Sequence, residues 1–478
     1  MMKFYHFNFK KMAALAAVAV VAMTGQAQLL RTTYFMEGAQ YRMQLNPAMT
    51  PSRGYVHLPV VSNFGVSFVS NSLGVQDVSD IIKNADDADY FTSDSFMNRL
   101  SDDNRATINM GTDLIAAGWW HGKSFMSINV GVKLDAGLRA PRELFEFMRD
   151  MRAMEEIDYT NYNRNIGHEE VNLTAYTEIG FGYTRQINDR LSIGGRVKGL
   201  LGMGNARLKV NEAVVKTRLE GLDPDYDWVH GDPAELLNAH GTASIDVDAV
   251  LESSFEGLEL MTNDKTYIDD VKFKSSKMGI AGFGAAFDLG FSYRVVGGLT
   301  LSAAVNDLGF IHWSKGCTTI ARAQTQDLHF DSDNPGDLER FQDIISQEAP
   351  INGDILRMTI DEGAAKARNT NITSTIVAGA DYAFNGDKVR VGALFTRRND
   401  PIKAQDELTL SANLHPSSLV DLAVSYSPIA CGGKSVGLAV KVGPLFLGTD
   451  YIYTGKNTKC CNALAGISIP LGKKPKGN

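Results

Sequence analysis

Residues 277–313, KMGIAGFGAAFDLGFSYRVVGGLTLSAAVNDLGFIHW, decide the fold. In the first arm Ala281, Phe283, Ala285, Phe287, Leu289, Phe291, Tyr293 and Val295 fall on one side. Gly282, Gly284, Ala286, Asp288, Gly290, Ser292 and Arg294 fall on the other. After a turn at Gly297-Gly298 the alternation resumes, with Leu299, Leu301, Ala303 and Val305 against Thr300, Ser302, Ala304 and Asn306. A period of two over about 15 residues is far longer than the usual soluble strand of about 5–6. One face is apolar with aromatics towards its ends, and the other is small, polar or charged. A strand with lipid on one side and a wet lumen on the other has this pattern.

The pattern repeats along the chain. Alternating segments fall at 54–70, 112–121, 123–135, 171–187 and 190–203, then in the two arms of 277–313. They continue at 371–384, 388–397, 407–414, 419–427, 435–442, 445–454 and 460–471, giving about 14 strands. Pro59 predicts an edge or a break within the first. Every second connection is short: His121-Gly122-Lys123, Asn188-Asp189, Gly297-Gly298, Asn385-Gly386-Asp387, His415-Pro416-Ser417-Ser418 and Gly443-Pro444. The connections between them are longer, with 71–111, 136–170, 204–276 and 314–370 the four longest. An all-β antiparallel transmembrane barrel with short periplasmic turns, long extracellular loops and an even strand count predicts this order, and a soluble sandwich does not. The barrel then spans 54–472, with a periplasmic or plug segment at 28–53 and a tail at 473–478.

Within the long connections Val75, Val78, Ile81 and Ile82 share a helix face, and Ser93 is placed to cap a short helix carrying Phe96, Met97 and Leu100. Pro141 suits a first helical turn ahead of Leu144, Phe145, Met148 and Met151. Leu338, Phe341, Ile344 and Ile345 form a further helical stripe, and 233–239 reads as a short helix. The apolar faces of 141–154 and 338–345 either form a groove for a hydrophobic ligand or partner, or pack on the loops and cap the barrel.

The chain opens with Lys3, Lys10 and Lys11 and an apolar run from Met12 to Met23, ending in Gly25-Gln26-Ala27. This predicts a secretory signal over 1–27 cut after Ala27, with an apolar core too short to span a bilayer. Removing it takes the net charge from −8 to −11. That acidity, without a basic patch, argues against nucleic-acid binding. The 44% apolar content fits a half-apolar barrel as well as a soluble protein. The four cysteines include no C-x-x-C pair, which removes zinc and thioredoxin-like readings. In an exported chain Cys431 is a candidate disulfide partner of Cys460 or Cys461, with unpaired thiols the alternative.

The inward-facing charges are Lys133, Glu178, Arg196, Lys198, Asp288, Arg294, Asp381, Lys388, Arg390, Glu407, Asp421 and Lys441. Mixed charges facing a lumen either line a conduction path or neutralise one another in a plugged interior. Asp223-Pro224-Asp225-Tyr226-Asp227 resembles the start of a calcium loop, but Trp228 stands where Gly is needed and Ala234 where Glu belongs; Asp331-Ser332-Asp333-Asn334 is similarly incomplete. His168-Glu169-Glu170 lacks the second zincin histidine, and no nucleophile signature occurs, so neither enzyme chemistry nor a cofactor or metal is expected.

Asn46-Pro47-Ala48 ahead of a fourteen-strand pattern resembles the fatty-acid transporter (FadL-type) barrels, which carry Asn-Pro-Ala near their N-terminal segment. LNPAMTPSRGYVHLPVVSNFGVSF together with SVGLAVKVGPLFLGTDYIYTG more specifically resembles an uncharacterised Bacteroidota outer-membrane family, related in style to barrels of the type IX secretion and gliding apparatus. The resemblance implies a cell-outer-membrane barrel with a channel or transporter role for small hydrophobic solutes. A non-conducting structural or docking barrel of a secretion or surface-attachment system is the alternative. The implied partners are outer-membrane lipid and either a hydrophobic small molecule or a secretion-machine protein. The ending Gly-Lys-Lys-Pro-Lys-Gly-Asn departs from the terminal aromatic of many barrels.

Overall fold

Alternation over this length yields a wall closed on itself. The computed structural model of this chain describes residues 30–473 apart from 58–62, 85–87, 151–157, 227–234, 236–239, 263–266, 325–328, 332–333, 335–357, 418 and 453–456. The signal segment 1–27, the helical stripes at 233–239 (apart from Glu235) and 338–345, and most of both calcium-like loops lie outside the described residues.

Fourteen antiparallel staves form the barrel. They are β1 (Arg53–His57 continued by Asn63–Ser70), β2 (Asp103–His121), β3 (Ser124–Pro141), β4 (Glu170–Gln186), β5 (Leu191–Glu220), β6 (Gly282–Arg294) and β7 (Leu299–Trp313). β8 (Arg368–Asn371 continued by Ser374–Phe384), β9 (Val389–Asn399), β10 (Gln405–Ser417), β11 (Val420–Ile429), β12 (Ser435–Val442), β13 (Leu445–Thr449) and β14 (Cys460–Lys473) follow. β1 closes the ring, pairing with β14 on one side (Val56 opposite Ile469) and β2 on the other (Val56 opposite Ala117). Closure leaves no sheet edge among the described staves, so their backbone groups within lipid find ladder partners.

The outer face is a continuous apolar belt, with Val197 68%, Leu447 62%, Phe283 61% and Leu289 56% exposed. An exposed surface of this kind belongs in hydrocarbon, since water-soluble monomers rarely present apolar patches beyond a few hundred Å². Trp119, Tyr183, Tyr293, Tyr382 and Phe384 stand exposed beside the short turns, forming an interfacial aromatic girdle. Those turns carry the left-handed residues Gly122, Gly297, Asn385, Gly386, Asp387 and Gly443.

At the other end most staves run past the expected limits, and β13 stops short of its own. β2 begins at Asp103 rather than 112, β3 ends at Pro141, β5 continues to Glu220, and β13 stops at Thr449. The upper half of β5 pairs with the strand His240–Phe255, which in turn pairs with Thr318–Gln324. Parts of the expected loops 71–111, 136–170, 204–276 and 314–370, most of all 204–276, are therefore wall extension among the described residues. Within the cap Ser93 accepts a hydrogen bond from Phe96 N as an N-cap. Pro141 ends a strand, and the helix starts after it at Arg142–Asp150. That helix buries Phe145 against Phe96, Met97 and Leu100. It buries Phe147 against Leu208, Val210 and Ala321. In its described part the helix packs on the loops and caps the barrel.

The N-terminal segment lies inside. From Leu30 to Met49 every residue is buried except the half-buried Glu37, Gly38 and Gln44. It enters as a 3-10 turn (Arg31–Thr33), passes through the helical turn Arg42–Leu45, and joins β1 at Arg53.

Candidate functional site

The lumen is organised around this inserted plug. Asn46 sits at its deepest contact: its amide donates to Tyr34 Oη at 3.0 Å and to the carbonyls of Phe291 at 3.2 Å and Ala303 at 3.3 Å. Its carbonyl accepts from Ala48 N at 2.9 Å, an Asx turn that fixes Pro47 between them. Pro47 O accepts from Thr184 Oγ1 at 2.6 Å, and Leu45 O from Asn306 Nδ2 at 2.6 Å. The Asn46-Pro47-Ala48 motif is thus a latch onto β4, β6 and β7. Gly290 and Gly194 stand directly opposite each other beneath it. A Cβ on Gly290 would fall 2.1 Å from Asn46 Oδ1, and one on Gly194 2.5 Å from Pro47 C. Small residues on the inward face are there so that the plug backbone fits.

Most of the inward charges gather into four groups. In the first, Lys198 Nζ lies 2.5 Å from Asp307, 2.9 Å from Asp288 and 3.7 Å from Glu178, while Lys133 Nζ lies 2.8 Å from Glu178. Arg196 approaches Asp288 at 3.7 Å, and Asn129 donates to Glu178 at 2.8 Å. Three cations thus face three anions, which is what makes burial of so many charges tolerable. In the second, Arg390 bonds Asp381 and the plug residue Glu37. In the third, the plug residue Arg31 is ion-paired with Glu407, and Asp450 accepts from Thr32 N at 2.8 Å and Thr32 Oγ1 at 2.7 Å. In the fourth, Asp421 accepts from Gly38 N at 2.6 Å, contacts His415 Nδ1 at 2.6 Å, and stands opposite Lys441 in the ladder.

Two placements correct the sequence reading. Arg294 shares the parity of Asp288 but lies at the rim with its side chain 46% exposed, 3.7 Å from Asp387, because the stave ends there. Lys388 likewise falls in the turn before β9. Cys431 and Cys460 are free thiols within one apolar cluster, and Cys431 Sγ donates to Gln405 and Glu407 at 3.0 and 3.3 Å.

Alternation alone misses Asp307. Asp288 faces both Asn306 and Asp307 across a bulge, where Asp307 adopts φ 57°. The extra residue reverses the parity of β7. Beyond it Leu308 and Phe310 face outward, while Ile311 and Trp313 are fully buried inside. The polar-polar pair Asn306-Asp307 breaking the alternation is the available signal. Arg31 and Glu37 carry no periodic signal, because their segment is neither strand nor long helix.

A polar cavity of about 90 Å³ lies in the lumen beside the plug, bounded by β1–β5 and by β7–β9 across the barrel. On the plug side it is lined by Gln40, Tyr41, Met43 and Gln44, and on the wall by residues from Tyr55 on β1 to Arg398 on β9.

The fold and its lumen define a plugged fourteen-stranded barrel of the membrane-spanning type. The chain belongs to DUF5723, a family of unknown function whose model matches residues 47–450. No curated protein matches it in sequence. Among solved structures it is similar to the Ralstonia pickettii toluene transporter TbuX, at 9% identity and a TM-score of 0.43 over 95% of this chain and 100% of that one. The Pseudomonas putida toluene transporter TodX is similar at 10% identity and 0.39, over 95% and 100%. At such values the likeness is one of barrel architecture.

Proposed function

We propose that this chain is an outer-membrane channel for small hydrophobic solutes, exported on residues 1–27 and closed at rest by its own N-terminal segment. The observation that carries the reading is the plug itself. A separate segment fills the lumen and is held by hydrogen bonds, ion pairs and glycine notches, all reversible contacts. A barrel serving only as a scaffold has no need of a detachable core. The lipid belt and girdle support the membrane placement, and the one-sided short turns support a periplasmic end at which both termini lie. An apolar solute arriving from outside first meets the cap cluster of Phe91, Phe96, Met97 and Phe145, adaptable aromatic and thioether surface suited to apolar ligands. The test is uptake of a labelled monoaromatic hydrocarbon into proteoliposomes, with conductance measured before and after plug deletion. Uptake that needs the protein supports the reading. Neither uptake nor conductance in either form sinks it, and leaves the docking barrel of a secretion or attachment machine.

A further inference from the structure

Most charges inside the barrel are paired, but two cations at the short-turn rim, Lys123 and Arg185, are not. Outward-facing side chains there fall into rows that cross the staves along the ladder. In one row Trp119 on β2 stands opposite Met126 on β3, and Met126 opposite Tyr183 on β4. In the next row towards the turns His121 stands opposite Ser124, and Ser124 opposite Arg185. The step between rows is two residues, about 6.6 Å along the strand and about 5 Å of height at a tilt of about 40°. Within that step the wall changes from aromatic and thioether to hydroxyl and guanidinium. Hydrocarbon gives way to lipid headgroups at such a boundary.

Arg185 does not stand in open water. Phe181, Tyr183 and Ile187 share its outward face, and Ile187, one step nearer the turn, is 51% exposed. Apolar wall therefore continues beyond the charge, and a cation bracketed in this way calls for an anion. Lys123 lies beside it: its carbonyl accepts from Gln186 N at 3.0 Å, and its side chain is exposed in the hairpin turn. Neither cation has a carboxylate partner among the described residues. Ser124 Oγ and Tyr183 Oη are hydrogen-bonded at 2.9 Å, and Arg185 interacts with the same tyrosine hydroxyl. One of the two hydroxyl protons is used between them, which leaves the other to donate outward. The remaining rim cations differ. Arg294 has Asp387 at 3.7 Å, and Arg190 follows Asp189 in its own turn.

We propose that Lys123, Ser124, Tyr183 and Arg185 bind the phosphate of an anionic glycerophospholipid, of the phosphatidylglycerol class, in the leaflet on the short-turn side. Its acyl chains lie along Trp119, Met126 and Phe181. The guanidinium takes two phosphate oxygens at once, the ammonium adds a point charge, and the hydroxyl donates a further bond. The set holds cations and donors but no carboxylate. A zwitterionic headgroup would bring an ammonium with nothing to pair it, so the net-negative lipid is preferred. The site needs the membrane placement of the barrel and is independent of solute uptake.

The experiment uses protein refolded into phosphatidylcholine vesicles, with insertion scored first by heat-modifiable gel mobility. About one lipid in ten carries bromine on its acyl chains, as phosphatidylglycerol, phosphatidylethanolamine or phosphatidylcholine. Bromine quenches indole fluorescence at short range, and the Trp119 signal is the difference between wild type and Trp119→Phe. Each basic residue near the surface enriches an anionic lipid about fivefold, so brominated phosphatidylglycerol should quench Trp119 at least about twofold more than either other lipid. Lys123→Gln with Arg185→Gln, both exposed, should still insert and should bring the three lipids to equal quenching. Equal quenching in inserted wild type overturns the proposal, as does a phosphatidylglycerol preference that survives the double substitution. Failure to insert would instead sink the membrane placement itself.

Discussion

Replacing Gly290 by alanine should release the plug. The added Cβ would stand 2.1 Å from Asn46 Oδ1 and 2.9 Å from Pro47 Cδ. Asn46 is short and cannot swing aside without breaking its bonds to Tyr34, Phe291, Ala303 and Ala48. Each such bond contributes about 1 kcal/mol net, so losing two to four costs about 2–4 kcal/mol. Since about 1.4 kcal/mol is tenfold in a population, the undocked fraction should rise by roughly 30- to 700-fold. Planar-bilayer recordings should then show frequent open events, and protease should cut residues 30–52 in vesicle-inserted protein faster. Gly199→Ala is the control, because the nearest atom to a Cβ there is 4.0 Å away on the outer wall. If Gly290→Ala matches Gly199→Ala in conductance and protection, the latch account of Asn46-Pro47-Ala48 is wrong.

Lys198→Met leaves Asp288, Glu178 and Asp307 short of their central cation and should cost about 3–5 kcal/mol, read as a lower temperature for the heat-modified gel shift. Adding Asp307→Asn should recover part of that loss, and no recovery would count against direct pairing. Val197→Lys places a charge on the lipid belt and should weaken bilayer insertion by about 2–4 kcal/mol in a vesicle-folding titration; an unchanged titration would contradict the membrane-facing assignment. Burial pushes the Glu169 carboxyl in the cap up to about 7. Its folded pKa lies above the unfolded one, so its contribution is most favourable below about 4.5 and is lost as pH rises towards 7. Hydrogen-exchange protection near His168–Glu170, corrected for the intrinsic pH dependence of exchange, should therefore fall across that window in wild type and stay flat in Glu169→Gln.

What the sequence determined by itself is the wall. Side chains in a strand alternate strictly, and lipid outside with water inside imposes opposite chemistry on the two faces, so Phe283 to Tyr293 declare their stave without any neighbour. Short turns need glycine, asparagine or aspartate at left-handed positions, which makes Gly297 and Asn385-Gly386-Asp387 equally legible. The Ser93 cap is local too, and so was readable. Only the tertiary structure decided how far the staves reach. Above the membrane β5 is held by its pairing with His240–Phe255, not by a lipid boundary that would pattern it. It also decided the lumen. Lys133, Glu178, Lys198 and Asp288 come from four staves, and their neutral cluster is completed by Asp307, which a bulge turns inward against the period. The plug is the extreme case. Arg31, Glu37 and Asn46 sit in a segment with almost no periodic structure of its own, ordered by contacts up to 428 residues away. No local pattern encodes those contacts, because their energy exists only once the barrel has closed around them.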